Sequence, residues 1–375
     1  MCPSPAEKPK ALGAKGPSWS DRLYEWIDTR YHITGLIEFV RHKDVPITPI
    51  SFWYYFGGIT LFFFCIQVVT GILLLMYYVP SVDQAYESIN YIMAKVHFGW
   101  LVRSIHVWSA NLMILSAMIH LFSVFFMRAY RKPREMTWFS GFLLLGLALT
   151  FGFSGYLLPW NQLAFFATKV GTDIMGSLPW VGSFFLKLLR GGEDVTEATL
   201  RRFFGLHVAI LQGIATMLLG VHLILIQRQG MSRPQSWLAQ APEKRRTMPF
   251  FPHFILRDAL LWFVTLNVLA ALAVFFPAEL GLKADAFAPA PAGIKPEWYF
   301  LAQYQTLKWM PSMIGPISGE LVGFSIMSLA GALVLFLPFL DRTQEGGPRR
   351  RWLDFAGFIA LGYLIIMTVI GHVTQ

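Results

Sequence analysis

The sequence predicts an all-α fold, a multi-pass transmembrane helical bundle of about seven spans. Of the 375 residues, 55% are hydrophobic and only 14% are charged, whereas soluble domains carry about a quarter charged residues. Predominantly apolar stretches long enough to cross a hydrocarbon core of roughly 30 Å as helices recur along the chain. They are residues 52–79, 104–127, 137–158, 203–226, 259–277, 320–340 and 352–372.

Residues 19–40, ahead of the first span, predict an amphipathic helix on the membrane surface. Their apolar residues recur at roughly helical spacing opposite Asp21, Arg22, Glu25 and Asp28, a pattern typical of interfacial helices. A basic, proline-containing loop then separates four spans from three. We therefore expect three parts, which are an N-terminal segment at 1–50, a four-span part at 51–230 and a three-span part at 231–375.

The formal net charge of +9 is explained by the orientation of the chain in the membrane. The basic residues lie in alternate loops, namely before the first span, after the second, between the fourth and fifth, and before the last. Such loops face the negative, cytoplasmic side of a membrane, together with the N-terminus. Loops 80–103, 159–202 and 278–319 are then predicted on the positive side. The charge pattern thus predicts orientation and no nucleic-acid partner.

Cysteine usage limits the kinds of metal site. Cys2 and Cys65 are the only cysteines, so the sequence has no Cys-x-x-Cys-His motif for haem attachment and no cysteine set for an iron–sulfur cluster. A metal would need other ligands.

Four of the nine histidines fall inside predicted spans. His106 and His120 share the second span, 14 residues apart, and His207 and His222 share the fourth, 15 apart. At about 100° and 1.5 Å per residue, each step returns to nearly the same helix face about 21–22 Å further along. Because both spans start on the same side, His106 and His207 lie at one depth, and His120 and His222 at another.

Two imidazoles in an apolar bundle form the ligand set of a low-spin haem. Any one intramembrane histidine is better explained as an interhelical hydrogen-bonding group. Four histidines in matched pairs favour two bis-histidine b-type haems instead, with His106 and His207 binding one iron and His120 and His222 binding the other.

Glycines in the first and third spans repeat the 14-residue step. Gly57 and Gly71 lie in the first of these spans, and Gly141 and Gly155 in the other. Glycine allows close approach of a bulky planar group or of another helix. Helix packing explains each pair alone, but the match to the histidine period favours porphyrin contacts. Arg103, three residues before His106, is either a haem-propionate partner or a snorkelling interfacial arginine.

These residues and motifs together resemble cytochrome b of the quinol:cytochrome c (or plastocyanin) oxidoreductases over nearly the whole chain. The 15-residue histidine step and the three spans that follow it are similar to the chloroplast-type branch. That branch divides the protein into a four-span cytochrome and a three-span subunit, which are fused here. The motifs are Arg103-Ser-Ile-His106, the two histidine pairs, Lys132-Pro-Arg-Glu-Met-Thr-Trp138, Gly155-Tyr-Leu-Leu-Pro-Trp160-Asn-Gln162 and Pro296-Glu-Trp-Tyr299.

The resemblance implies a Q-cycle in an energy-transducing membrane, which we expect to be the bacterial inner membrane. Quinol is oxidised on the positive side in a pocket lined by Glu297, Tyr156 and Tyr299. One electron goes to a Rieske iron–sulfur protein, and the other passes through the two b haems to quinone on the negative side, which contributes to proton translocation. The resemblance also implies a cytochrome c-type or equivalent acceptor subunit and a homodimeric complex.

Glu297 has a second explanation. A carboxylate in a low-dielectric pocket can accept the quinol proton, whereas an acid in the first turn of a helix is also stabilised by the helix dipole. The resemblance favours the first role.

The sequence departs from the chloroplast-type pattern at three places. That branch attaches a third haem through a cysteine near the negative-side end of the first span, where Tyr55 stands here. Cys65 lies about two and a half turns deeper, so we expect no covalent third haem. Gln227 and Ser123 stand where the family has arginines, which leaves the negative-side propionate and quinone ligands unassigned.

Two other classes of protein also use intramembrane histidines. A dihaem anchor of a dehydrogenase or hydrogenase generally has four or five spans and no Pro-Glu-Trp-Tyr loop. A secondary transporter with histidine proton relays would have internal repeats and charges near the midplane, which this sequence lacks. A pyridine haemochrome spectrum with no b haem would favour the transporter.

Overall fold

A computed structural model describes residues 18–41 and 43–374. The first 17 residues of the predicted N-terminal segment lie outside these ranges. The α-helices are α1 (Trp19–Tyr31), α2 (Ile33–Arg41), α3 (Tyr55–Leu75), α4 (Ala85–Ala94), α5 (Gly99–Phe126), α6 (Glu135–Leu157), α7 (Gln162–Gly176), α8 (Gly182–Arg190), α9 (Glu197–Gly205), α10 (Leu211–Gln229), α11 (Gln235–Leu238), α12 (Ile255–Phe275), α13 (Trp298–Lys308), α14 (Gly319–Leu335), α15 (Leu337–Leu340) and α16 (Arg351–Val373).

Short turns and strands complete the described structure. Single 3₁₀ turns occupy Ser51–Tyr54 and Pro242–Lys244, and π turns occupy Leu206–Ile210 and Phe250–Phe254. The strands form two antiparallel pairs, β1 (Asp44–Pro46) with β2 (Thr247–Pro249) and β3 (Met313–Ile314) with β4 (Ile317–Ser318).

The predicted multi-pass helical bundle is confirmed. Within the described residues, six helical stretches are long and apolar enough to cross a membrane. They are Ser51–Leu75, Gly99–Phe126, Glu135–Leu157, Glu197–Gln229, Phe250–Phe275 and Arg351–Val373. The seventh predicted span, 320–340, is a shorter apolar helix, α14, followed by α15.

The interruption of the seventh span has a local cause. Pro338 has no N–H with which to bond the carbonyl of Val334 four residues earlier. The indole Nε1 of Trp138, on α6, donates to that carbonyl instead, at 2.9 Å. The end of α14 is thus fixed to the four-span part of the chain.

The amphipathic segment is two helices rather than the single predicted helix over 19–40. His32 adopts a left-handed conformation (φ 50°) between α1 and α2, and a single residue in that conformation ends a right-handed helix. Trp19 and Trp26, on α1, remain 75% and 53% exposed, whereas α2 packs against the π turn Phe250–Phe254.

The connectors predicted to share one side do contact one another. Tyr86, between the first two spans, donates to the carbonyl of Gly281 at 2.8 Å. The N–H of Gln162 donates to the carbonyl of Leu282 at 2.9 Å, and the N–H of Ala284 donates to that of Trp160 at 3.0 Å. We call this the Glu297 end, comprising residues 76–98, 158–196 and 276–318.

The opposite end, which we call the basic end, comprises residues 43–50, 127–134, 227–254 and 336–350. Here three arginines of the four-span part pair with three acids of the three-span part. The N···O distances are 2.6 Å for Arg128–Asp354, 3.0 Å for Arg131–Asp341 and 3.1 Å for Arg134–Glu345.

The central pair, Arg131 and Asp341, is almost fully buried, with side chains 3% and 2% exposed. Burial raises the pKa of Asp341, but hydrogen bonds from Thr343, Tyr130 and Arg131 outweigh it and hold that pKa below its usual value. A buried charge is tolerated only when it is paired and hydrogen-bonded in this way. The pairs therefore explain how the Lys132–Trp138 motif region joins the two parts.

Candidate cofactor and quinol sites

The structure brings the four span histidines together in the predicted pairs. The imidazoles of His106 and His207 lie close enough to interact electrostatically, and so do those of His120 and His222. Helix α3 packs on α5, and α6 packs on α10. Each pair thus lies between two helices that carry the ligands and two that carry the predicted glycines.

A π turn adjusts the spacing in the fourth span. His207 lies in the π turn Leu206–Ile210 between α9 and α10, so the span is not the uninterrupted α-helix that the sequence predicts. A π turn accommodates one more residue than an α turn. The 15-residue step therefore leaves the rings of His207 and His222 on the same face of their span, as the 14-residue step does for His106 and His120.

Each predicted glycine faces one histidine ring. A Cβ added to the glycine would have the imidazole Cε1 as its nearest neighbour in all four cases. These distances are 3.1 Å for Gly57 and His120, 3.4 Å for Gly71 and His106, 3.0 Å for Gly141 and His222, and 2.6 Å for Gly155 and His207. A side chain at Gly155 would displace the His207 ring, and one at Gly57 or Gly141 would crowd the ring it faces, whereas one at Gly71 would make an ordinary contact. The absence of side chains at these glycines leaves room for a flat group beside each pair.

Three hydroxyl groups that sequence reasoning missed contact the histidine rings. Thr70 Oγ1 lies 2.8 Å from His106 Nδ1, Ser140 Oγ lies 2.9 Å from His222 Nδ1, and Ser154 Oγ lies 3.1 Å from His207 Nδ1. Each hydroxyl residue directly precedes a predicted glycine. The repeated hydroxyl–glycine dipeptide is the sequence signal that could have revealed them.

Arg103 is buried at the Glu297 end, 6% exposed. Its Nη1 donates to the carbonyl of Ala278 at 2.5 Å, and its Nη2 donates to that of Glu279 at 2.9 Å. Both terminal nitrogens therefore have main-chain acceptors, and the propionate role stays a prediction.

The three predicted quinol-site residues also lie together. Glu297, at the N-cap of α13, interacts electrostatically with the phenols of Tyr156 and Tyr299. Burial raises the pKa of the half-buried Glu297 carboxyl above its usual value. The Tyr299 hydroxyl packs against the backbone of Gly152 on α6. A carboxylate whose pKa is raised is a stronger proton acceptor than an ordinary carboxylate.

Contacts to α16 hold the segment around Glu297 in place. Two residues before Glu297, Lys295 Nζ donates to the carbonyl of His372 at 2.7 Å. After Glu297, helix α13 packs along α16, where a Cβ at Gly371 would lie 3.3 Å from the carbonyl oxygen of Leu301. The end of the last helix thus anchors the chain on both sides of Glu297.

The positions that depart from the family pattern have other partners. The ring of Tyr55 stacks on that of Phe254, with centroids 4.7 Å apart. Gln227 accepts hydrogen bonds from the Lys43 ammonium, and Ser123 Oγ donates to the His120 carbonyl at 2.7 Å.

Asp258, on α12, is a further residue that sequence reasoning missed. Its carboxylate lies against the backbone of Gly58, next to Gly57. Among the described residues, its buried Oδ1 has no hydrogen-bond partner. A buried acid inside a span is typical of functional sites in membrane proteins.

The donor set limits what the paired histidines can hold. No group of three or more His, Cys, Asp or Glu that could bind a metal ion occurs in the part of the chain that the structure describes. Two imidazoles facing glycine-lined helices fit a planar metallocycle, which the two histidines of a pair would hold and which would supply redox chemistry.

Two family models and several known proteins match most of the chain. A family model described as "Cytochrome b/b6/petB" matches residues 42–230, and one described as "Cytochrome b(C-terminal)/b6/petD" matches residues 283–375. The cytochrome bc complex cytochrome b subunit of Chlorobaculum thiosulfatiphilum is 46% identical over 353 residues, which is 93% of this chain and 80% of that protein.

Two more relatives extend the comparison. Cytochrome b6 of Synechococcus sp. (strain JA-3-3Ab) is 42% identical over 213 residues, which is 57% of this chain and 99% of that protein. A chain in a solved structure described as "Hyperthermophilic respiratory Complex III" superposes with a TM-score of 0.80 and 31% identity, covering 94% of this chain and 91% of that one.

The glycine geometry predicts graded effects of alanine substitutions on cofactor content. We expect Gly155→Ala to lower b-type haem per chain, because a methyl group there lies 2.6 Å from His207 Cε1. Gly71→Ala should retain more haem than Gly155→Ala, because the added methyl group lies at an ordinary contact distance of 3.4 Å. Gly220→Ala should have the same haem content as the unsubstituted protein, because its added methyl group meets nothing within 4 Å. Pyridine haemochrome assays of purified protein measure this. Equal haem in the Gly155 and Gly220 variants would contradict the role of Gly155.

Proposed function

This chain belongs to the cytochrome b/b6 family, with its four-span and three-span parts fused, and we propose from that premise that it runs a Q-cycle as a dihaem subunit of a bc-type complex. Quinol is oxidised at the Glu297 end, taken as the positive side. One electron goes to a Rieske iron–sulfur protein, and the other crosses the membrane to a quinone-reduction site at the basic end.

The observation that carries the proposal is the arrangement of the four span histidines. They form two pairs separated along the helix axes, and each ring faces a glycine of a neighbouring helix. When bound, a bis-histidine haem supplies one-electron redox chemistry without an open position for substrate. His106 and His207 would hold one such group, and His120 and His222 the other.

Glu297 is proposed as the proton acceptor in quinol oxidation. Loss of electrons from a quinol requires loss of its protons, and a general base must lie within hydrogen-bond reach of the reacting hydroxyl. The carboxyl has a pKa raised by burial and lies beside the Tyr156 and Tyr299 phenols. We propose that the quinol ring binds beside these phenols. The contacts that Lys295 and α13 make with α16 hold the chain segment around Glu297 in place.

The partners follow from the same proposal. A quinol-oxidising subunit of this kind needs an electron acceptor on the Glu297 side, for which we propose a Rieske protein. We propose a cytochrome c-type or equivalent subunit as the next electron acceptor. The similarity to a chain of a respiratory Complex III supports assembly with such subunits. The same reasoning supports a homodimeric complex in a bacterial inner membrane.

The pairing predicts which haem each histidine variant loses. His106→Ala and His207→Ala should both remove the haem at the Glu297 end, because each iron needs two axial imidazoles. His120→Ala and His222→Ala should both remove the other. Low-temperature spectra combined with redox titration distinguish the two components. Loss of the same component in the His106 and His120 variants would contradict the pairing.

Removal of the Glu297 proton acceptor should slow turnover without loss of fold. Glu297→Gln keeps the shape but cannot take a proton, and a general base contributes roughly a hundredfold or more. The measurement is quinol-driven haem reduction in pre-steady state, in assembled complex with normal spectra and with the quinone-reduction site inhibited.

Glu279→Gln is the matched control, because Glu279 is an acid of the same connector, outside the Glu297 and tyrosine cluster. Its reduction rate should equal that of the unsubstituted protein. A Glu297→Gln rate as fast as that of the control would remove Glu297 from the catalytic residues.

A further inference from the structure

Each hydroxyl group beside a histidine ring also has a main-chain carbonyl to which it can donate its proton. Thr70 Oγ1 donates its proton to the carbonyl of Ile66 at 2.7 Å, Ser140 Oγ to that of Thr137 at 3.0 Å, and Ser154 Oγ to that of Phe151 at 3.3 Å. A hydroxyl has one proton and two acceptor lone pairs. When the hydroxyl donates to this carbonyl, its oxygen acts as an acceptor toward the histidine Nδ1.

An acceptor at Nδ1 fixes the state of the ring. In a neutral imidazole one nitrogen carries the proton, and the other has the lone pair. Since the hydroxyl oxygen accepts from Nδ1–H, the lone pair of His106, His207 and His222 is held on Nε2, the nitrogen available for a metal. A hydrogen bond from the second nitrogen also makes the ligand more basic.

We infer that Thr70, Ser140 and Ser154 are positioning residues that act through His106, His222 and His207 to lower the midpoint potentials of the haems these histidines hold. This inference rests on the proposed dihaem function. A more basic axial ligand stabilises the ferric state, and hydrogen bonding around axial ligands is one of the levers by which proteins tune haem potentials.

His120 breaks the pattern. Its Nδ1 is buried and has no hydrogen-bond partner within the described structure. The glycine that faces this ring is Gly57, and the residue before it is Phe56 rather than a serine or threonine. The His106 and His207 pair thus has two hydroxyl acceptors, whereas the His120 and His222 pair has one. This difference favours electron transfer from the haem held by His106 and His207 to the haem held by His120 and His222.

The hydroxyls are not equally replaceable. His207 and His222 also contact the main-chain carbonyls of Phe151 and Thr137, which could accept from Nδ1 if the serine were lost. Among the described contacts, His106 Nδ1 has Thr70 Oγ1 as its one acceptor. Thr70 is therefore the hydroxyl whose removal should have the largest effect.

The test is a redox titration of both haems in the purified complex. Thr70→Val keeps the shape of the side chain but removes the acceptor. We expect the midpoint of the haem held by His106 and His207 to rise by about 59 mV, which corresponds to a tenfold change in a one-electron equilibrium. The other haem should not move. Thr60→Val is the control, because the Thr60 hydroxyl on the same helix bonds Phe56 and Ser116 and no histidine.

A second pair of variants adds an acceptor instead of removing one. Phe56→Thr recreates beside Gly57 the dipeptide found at Thr70-Gly71, and Phe56→Val has the same shape without the hydroxyl. We expect Phe56→Thr, compared with Phe56→Val, to lower only the midpoint of the haem held by His120 and His222.

The outcomes separate the inference from the proposed function. Equal midpoints in Phe56→Thr and Phe56→Val, or a Thr70→Val midpoint equal to that of Thr60→Val, would overturn the role of the hydroxyls. A shift of both haems in Thr70→Val would also overturn it, because it would indicate a general structural change. Haem content is measured in the same samples, and failure of the histidine variants to lose haem would count against the dihaem function itself.

Discussion

A histidine ring inside an apolar bundle has two nitrogens to satisfy, and this requirement organises the centre of the molecule. In water either nitrogen would be solvated, whereas in a dry interior an unpaired polar atom costs free energy. In three of the four rings, Nδ1 lies within hydrogen-bond distance of a hydroxyl oxygen, so Nε2 is the nitrogen that these contacts do not involve. A metal bound at Nε2 would satisfy that atom, as the proposed dihaem function requires.

The rest of the bundle keeps these rings at fixed positions. Helices α3 and α6 present glycine to each imidazole, and the π turn at Leu206–Ile210 brings His207 into register with His222. At the basic end, the buried Arg131–Asp341 pair joins the four-span and three-span parts. At the other end, Lys295 ties the segment before Glu297 to the last turn of α16. The proposed proton acceptor and electron carriers are thus built on one connected framework.

Much of this arrangement follows from sequence periodicity. Helical geometry predicts the histidine pairs and the glycines that face them, since one histidine pair and both glycine pairs repeat after 14 residues and the other histidine pair after 15. The positions of single side chains depend on tertiary contacts that no local pattern encodes. Two examples are the main-chain acceptors of Arg103 and Asp258 Oδ1, which has no hydrogen-bond partner among the described residues.

The hydrophobic periodicity of the sequence also does not predict local changes in the helical backbone. The π turn, the break at His32 and the end of α14 each alter a helix that hydrophobicity alone predicts as continuous. The Pro338 break could be anticipated, but its compensation by the Trp138 indole could not.

The most direct test of the central claim is the number and attachment of haems per chain. A pyridine haemochrome assay before and after acid–acetone extraction measures both in the purified complex, with subunits separated on a haem-stained denaturing gel. We predict two b haems per chain, both extractable, because Tyr55 offers no thiol and stacks on Phe254. One haem per chain, none, or a peroxidase-active band that persists at this chain's mass after extraction would contradict it.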